Sequence, residues 1–167
     1  MSVADRALAA HAAEEEEKRL RAEAAKARRK GIAVDAIGRV LEGFGMDTTD
    51  LEELIEPDYR AKRWSVMIPI DDDCALHLTS EPDDEIVSTR LVPAVELDRD
   101  IPPGEPKTPR GVYGCYGLDK YVLEGISTLA DLGRAITKVR EARVAWRKKH
   151  GVSQESEMQK GESDGTA

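Results

Sequence analysis

The large apolar side chains of this chain are concentrated in its middle, and this limits where a hydrophobic core can form. Leu, Ile, Val and Phe together make up 35 of the 167 residues, a share close to that of chains that stay unfolded. Residues 1–31 and 147–167 hold only four of them. The composition therefore predicts one domain at 32–150, a charged helical arm at 1–31 and a disordered tail at 151–167.

The arm has the composition of a helix without a packing partner. Residues 3–30 contain neither Gly nor Pro and are rich in Ala, Glu, Lys and Arg, which favours a helix. Opposite charges recur four residues apart in three pairs: Glu14 with Lys18, Glu15 with Arg19, and Glu17 with Arg21. Leu20 is the only large apolar residue from Glu14 to Lys30, so we expect a solvated helix that frays and ends or bends at Gly31. Coiled-coil pairing is the alternative.

Two helices are predicted before the sheet. A helical stripe of apolar residues runs from Ile32 to Phe44 and is expected to face the core: Ile32, Ala36, Ile37, Val40, Leu41 and Phe44. Thr49 and Glu52 have the spacing of a capping box, which predicts a short helix through Ile55 that Pro57 stops.

Alternating apolar and polar residues predict antiparallel strands. One strand has Trp64, Val66, Ile68 and Ile70 on its apolar face, and the next has Cys74, Leu76 and Leu78. Three aspartates, Asp71–Asp73, form the turn between them. A third strand is expected at 85–97, where Pro93 indicates an edge or a bulge. Residues 112–118 and 121–126 are predicted to form a second hairpin.

A helix closes the domain. Thr128 and Asp131 form a second capping box, and an apolar face follows: Leu129, Leu132, Ile136, Val139 and Trp146. The predicted fold class is therefore α+β. An antiparallel sheet of three to five strands is packed by an N-terminal amphipathic helix and a C-terminal helix, with the charged helical arm in front.

The segment Ile126-Ser-Thr-Leu-Ala-Asp-Leu-Gly-Arg-Ala-Ile136 follows the hairpin that Trp64 begins. In this arrangement, residues 50–140 resemble small uncharacterised proteins of actinobacteria and their phages, which often end in a similar Leu-Ala-Asp-Leu-Gly helix. The resemblance implies a small α+β domain without an established activity. Some of those proteins carry paired cysteines before the last strand, whereas this chain has Cys115 alone there.

Charge is segregated along the domain. Residues 35–100 contain 18 acidic and 6 basic side chains, whereas residues 127–150 contain 7 basic and 2 acidic ones. Such a distribution can neutralise itself within one fold or present opposite faces to partners. The basic residues of the last helix that could contact nucleic-acid phosphates are Arg140, Arg143, Arg147, Lys148 and Lys149. Docking against the acidic strands, or solvation of the helix end, is the favoured interpretation.

No catalytic, cofactor or metal site is predicted. Asp71–Asp73 lack the ligand spacing of a calcium loop, so we interpret them as an exposed turn. His77 is expected to face solvent, on the opposite face of its strand from Cys74. Cys115, between Gly114 and Gly117, is the only candidate nucleophile, and glycines of a bent strand explain the same pattern.

These observations favour a cytoplasmic, non-enzymatic protein-binding or assembly accessory protein, related to phages or mobile elements. Its partner would be a protein of unknown identity, and the arm would allow a homo-oligomer to form. A nucleic-acid-associated regulator that uses the basic helix is the alternative, and an enzyme of unknown class is third. No cofactor is expected. A membrane partner is not expected either, because no apolar run approaches the ~18 residues of a membrane span.

Overall fold

The computed structural model describes residues 1–93, 115–118 and 120–149, and its α+β fold agrees with the predicted class. The helices are α1 (Val3–Gly43), α2 (Leu51–Leu54), α3 (Lys120–Leu123) and α4 (Leu129–Lys149). The strands are β1 (Glu56–Pro57), β2 (Trp64–Pro69), β3 (Cys74–Glu81) and β4 (Ile86–Pro93). A 3₁₀ turn at Cys115–Gly117 precedes α3.

The four strands form one sheet in the order β1-β2-β3-β4. Neighbours in the sheet are also neighbours in sequence, and short turns that join β2 to β3 and β3 to β4 make the sheet an antiparallel meander. No pattern in the sequence predicts β1, which pairs Glu56 with Ser65 and Pro57 with Trp64. Two residues are too few to show alternation, and a Pro that donates no hydrogen bond is tolerated in an edge strand.

The alternation predicted for β2 and β3 is confirmed in part, because Ile68 is only half-buried, Ile70 lies beyond the end of β2, and Ala75 is buried on the other face of β3. Trp64 and Val66 are buried in β2, and the apolar face of β3 is buried along its whole length. The indole Nε1 of Trp64 has no hydrogen-bond partner among the described residues. Pro93 ends β4, an edge strand as expected. The predicted continuation at 94–97 lies outside the described residues.

The chain divides into two compact units, each of which contains part of the sheet strands. The first unit comprises Met1–Met67 and Leu78–Ser88, and the second comprises Ile68–His77 and Thr89–Ala167.

In the first unit, α1 is a single helix, so the break expected at Gly31 is wrong. A glycine in a helix interior costs only about 1 kcal/mol relative to Ala, and the residues on both sides favour the helix. The buried face of α1 lies only in its last three turns: Ala33, Ile37, Gly38 and Leu41. Ile32 was expected to belong to this face but is exposed.

The segment after α1 differs from its prediction in the contacts of Thr49. α2 forms where a short helix was expected, but Thr49 does not cap it. The amide and hydroxyl of Thr49 both donate to Asp47 Oδ1, at 2.9 and 2.6 Å. Leu51, the first residue of α2, packs over Gly38, where an added Cβ would lie 3.7 Å from the Leu51 side chain.

In the second unit, the predicted second hairpin is replaced by helical structure. Residues expected to form its second strand instead form α3, and only Glu124 makes a bridge, to Arg90. The other half lies mostly outside the described residues, apart from the 3₁₀ turn. Gly125, with a φ of +66°, turns the chain after Glu124, and Ile126 then donates from its amide to the Thr89 carbonyl.

The last helix begins where its capping box predicts. The Asp131 amide donates to Thr128 Oγ1 at 3.0 Å, and the Thr128 amide donates to Asp131 Oδ2 at 3.2 Å. Leu132, Ala135 and Val139 are buried. Leu129 was expected on this face but is 60% exposed, because the first residue of the helix precedes the turn that meets the core.

Candidate functional site

The side chain of Asp71 organises the turn between β2 and β3. Its Oδ1 accepts hydrogen bonds from the Asp73 amide at 2.8 Å, the Cys74 amide at 3.0 Å and the Cys74 thiol at 3.4 Å. The aspartate run is therefore a turn, as predicted, although Asp71 and Asp73 are half-buried and only Asp72 is exposed. Within the described ranges, no group of three or more His, Cys, Asp and Glu side chains is placed to hold a metal ion.

Two arginines of α4 pair with this turn. Arg140 lies 2.7 Å from Asp71 Oδ2 and 3.6 Å from Asp73 Oδ2, and Arg143 contacts Asp73 Oδ1. Residues three apart on a helix share a face, so one face of α4 meets the turn with both guanidinium groups. We call Asp71, Asp73, Cys74, Arg140 and Arg143 the acidic turn cluster.

The structure does not bring the five candidate phosphate-binding residues together as a free cationic face. Arg140 and Arg143 are engaged in the acidic turn cluster, and the Arg143 side chain is only 12% exposed. Arg147 is half-buried and has an interaction of its own. Lys148 and Lys149 are exposed at the end of α4.

Opposing effects set the protonation of the acidic turn cluster. Partial burial acts to raise the pKa of Asp71, but hydrogen bonds from Arg140 and Cys74 lower it below its ordinary value. Burial, with the nearby Asp71 carboxylate, raises the pKa of the Cys74 thiol to about 12. Since the thiolate is the nucleophile, this raised pKa makes the Cys74 thiol a weak nucleophile near neutral pH.

The remaining candidate side chains form no shared site in the described part of the chain. His77 was expected to face solvent but is half-buried and has an interaction partner. Cys115 begins the 3₁₀ turn, and its side chain lies outside the described residues, as do Gly114 and His150. His11 is exposed on α1.

The other notable surface is the arm, defined here as residues 3–30 of α1. Its large apolar side chains are exposed, including Leu8 and Leu20 at 68% and 52%. Ser2 and Asp5 form a capping box at its start, which the Ser-x-x-Asp spacing could have identified. At its other end, Arg29 Nε lies 3.1 Å from Asp83 Oδ1 within the same unit.

Ion pairs along the arm follow the predicted pattern in part. Lys18 lies 3.1 Å from Glu14, and Arg21 lies 2.5 Å from Glu17. The predicted pair between Glu15 and Arg19 is not formed. Instead, Arg19 pairs with Glu16 at 2.5 Å and with Glu23 at 2.6 Å.

The N-terminal half of the arm is acidic and its C-terminal half is basic. Residues 1–17 contain five acidic side chains and one basic one, whereas residues 18–30 contain seven basic and one acidic. The acidic charge is densest at Glu14–Glu17, which we call the acidic block, and we call Lys26–Lys30 the basic block. Within residues 18–30, three basic side chains have no ion-pair partner in the described part of the chain: Lys26, Arg28 and Lys30.

Comparison with known proteins adds no functional evidence, because no protein-family model, curated protein or solved structure matches this chain. None of the helices in the described ranges combines the length and apolar character needed to cross a membrane.

Proposed function

We propose that this protein is a non-enzymatic protein-binding or assembly accessory protein and that the arm is its contact surface. The observation that carries this proposal is a long exposed helix joined without a break to a buried one. The arm extends about 40 Å at 1.5 Å per residue, and burial of α1 begins only at Ala33.

A helix without a broad apolar face gains little stability from packing against the rest of its own chain. Such helices bridge to partners or depend on many charge pairs at helical spacing. The pairs of this arm are exposed, and each contributes only a few tenths of a kcal/mol. A partner that covers Leu8 and Leu20 would add the missing burial.

The proposal includes a phage or mobile-element origin, which rests on the resemblance noted for Ile126–Ile136, and a cytoplasmic location. The alternative function, nucleic-acid regulation through α4, is less well supported. Arg140 and Arg143 already neutralise Asp71 and Asp73, which leaves fewer cations for phosphates. An enzyme of unknown class is third, because the raised pKa of the Cys74 thiol keeps that group protonated near neutral pH.

A matched pair of leucine variants tests the proposal. Leu20→Glu places a charge on the arm, and Leu129→Glu places the same charge on an equally exposed position of α4. Each full-length chain is immobilised and exposed to nuclease-treated lysate, and captured proteins are identified by mass spectrometry. We expect one protein to be captured by the parent and by Leu129→Glu and to be lost with Leu20→Glu. Equal capture by all three chains would contradict the assignment of the arm as contact surface.

A further inference from the structure

We propose that the arm binds the arm of a second copy of this chain in antiparallel orientation. This inference rests on the proposed function, and it identifies a second copy of the chain as a partner of the arm. In the arrangement, the acidic block Glu14–Glu17 of each copy lies against the basic block Lys26–Lys30 of the other.

Charge complementarity selects the orientation. A parallel pair would place acidic block on acidic block and basic block on basic block, which is repulsive along the whole contact. An antiparallel pair places opposite charges together twice, once at each end. Lys26, Arg28 and Lys30 have no ion-pair partner in the described part of their own chain, so they are available to a second copy.

One face of the arm allows two helices to approach closely. Small or apolar residues recur at alternating spacings of three and four, interrupted only by Glu17: Ala10, Ala13, Leu20, Ala24 and Ala27. All of them are exposed. When the blocks are aligned so that residue numbers facing each other sum to 44, Leu20 of each copy meets Ala24 of the other. This spacing is that of a coiled-coil contact, and the two leucines would be covered.

The contact joins two exposed charged surfaces, so it should weaken with salt. At about 0.1 M salt, charges are screened beyond about 10 Å, and at about 1 M beyond about 3 Å. The apolar share of the contact is small, so we expect the association to be reversible and to depend on protein concentration.

Mass measurement in solution tests whether the pair forms. Light scattering of the full chain at low salt should give a mass that rises with concentration from 18.4 kDa toward twice that value, and high salt should reverse the rise. A mass that stays at the monomer value up to about 100-fold higher concentration would overturn the inference. The lysate experiment would then decide the proposed function separately, since it requires only that Leu20→Glu lose a partner.

Charge reversal with rescue tests complementarity and controls for folding. One variant carries Glu14→Lys, Glu15→Lys, Glu16→Lys and Glu17→Lys. The other carries Lys26→Glu, Arg28→Glu and Lys30→Glu. Arg29 is retained because it pairs with Asp83. We expect each variant to be monomeric alone and their mixture to form the pair. Two monomeric variants that also fail to associate when mixed would contradict the proposed pairing, whereas association of either variant alone would show that the blocks do not drive it.

Zero-length carbodiimide cross-linking tests the orientation. It joins a carboxylate to an amine in direct contact, and an equal mixture of ¹⁴N- and ¹⁵N-labelled chains identifies links between copies. We expect mixed-isotope links from Glu14–Glu17 to Lys26 or Lys30. Within one helix these positions are about 13 Å or more apart, too far for contact. Links between copies from Glu14–Glu17 to Lys18 alone would favour a parallel pair and overturn the antiparallel assignment.

Discussion

Asp71 is the residue whose contacts explain most about the second unit. One carboxylate oxygen fixes the turn through two amides and a thiol, and the other pairs with Arg140. The same residue therefore stabilises local and long-range structure. The neighbouring Asp72 is exposed and makes neither set of contacts. Adjacent residues of one type thus have different roles, which only their orientation decides.

This difference predicts a specific acid sensitivity. The pKa of Asp71 is lowered in the folded protein, so its stabilising effect is present above the ordinary Asp value of 3.8 and is lost as pH falls through the folded value. We expect Asp71→Asn to lower the melting temperature at pH 7, and the difference from the parent to shrink below about pH 4. Circular dichroism melts between pH 7 and pH 2.5 measure this. Asp72→Asn is the matched control and should follow the parent throughout; an Asp71→Asn deficit of constant size at every pH would contradict the argument.

At the scale of elements, two glycines show that the backbone conformation of a position decides whether the sequence needs glycine there. Gly31 lies inside α1 with helical dihedrals, whereas Gly125 has a φ of +66°. A Cβ added at either position would meet no other atom within 4 Å. The two sites therefore differ in backbone conformation and not in available space.

Alanine substitutions at these positions should have opposite effects. Gly31→Ala should stabilise the protein by about 0.5–1 kcal/mol, because alanine restricts the unfolded chain and favours the helix. Gly125→Ala should destabilise it by about 1–2 kcal/mol, the cost of a left-handed conformation for a residue with a Cβ. Urea unfolding of the two variants measures both free energies. A loss of stability in Gly31→Ala would indicate that α1 needs flexibility at this point.

At the scale of the whole molecule, the exposed arm and the buried end of α1 belong to one helix. The helix is continuous from Val3 to Gly43, yet its buried residues are confined to Ala33–Leu41. Local stability follows buried contacts more closely than helical geometry. The predicted boundary near residue 31 therefore corresponds to a change in burial within one helix.

Hydrogen exchange should locate this change. In dilute protein at high salt, where arm pairing is suppressed, we expect amides of residues 6–28 to exchange at least about 100-fold faster than those of Ile37–Leu41. Mass spectrometry of peptic fragments measures the rates, and β3 provides a protected reference. Uniform protection along α1 would show that the arm is covered by other parts of the chain. At high concentration and low salt, the proposed arm pairing predicts slower exchange in residues 13–30.

The sequence alone determined the features that depend on neighbouring residues. Ala, Glu, Lys and Arg favour the helix of the arm, alternation sets the buried faces of β2 and β3, and the spacing of Thr128 and Asp131 sets the start of α4. Each involves residues a few positions apart, whose geometry the backbone fixes. Tertiary structure decided the rest. Residues 121–123 became helical although their pattern favoured a strand, because a short apolar run is compatible with both.

The charge pattern shows the same limit. The sequence indicated an acidic middle and a basic helix, but left open whether they meet. Arg140 and Asp71 lie 69 positions apart, and their contact depends on where the turn and α4 are placed by the packing of buried residues such as Val139. Sequence separation carries no information about that distance, so only the folded structure assigned these charges to each other.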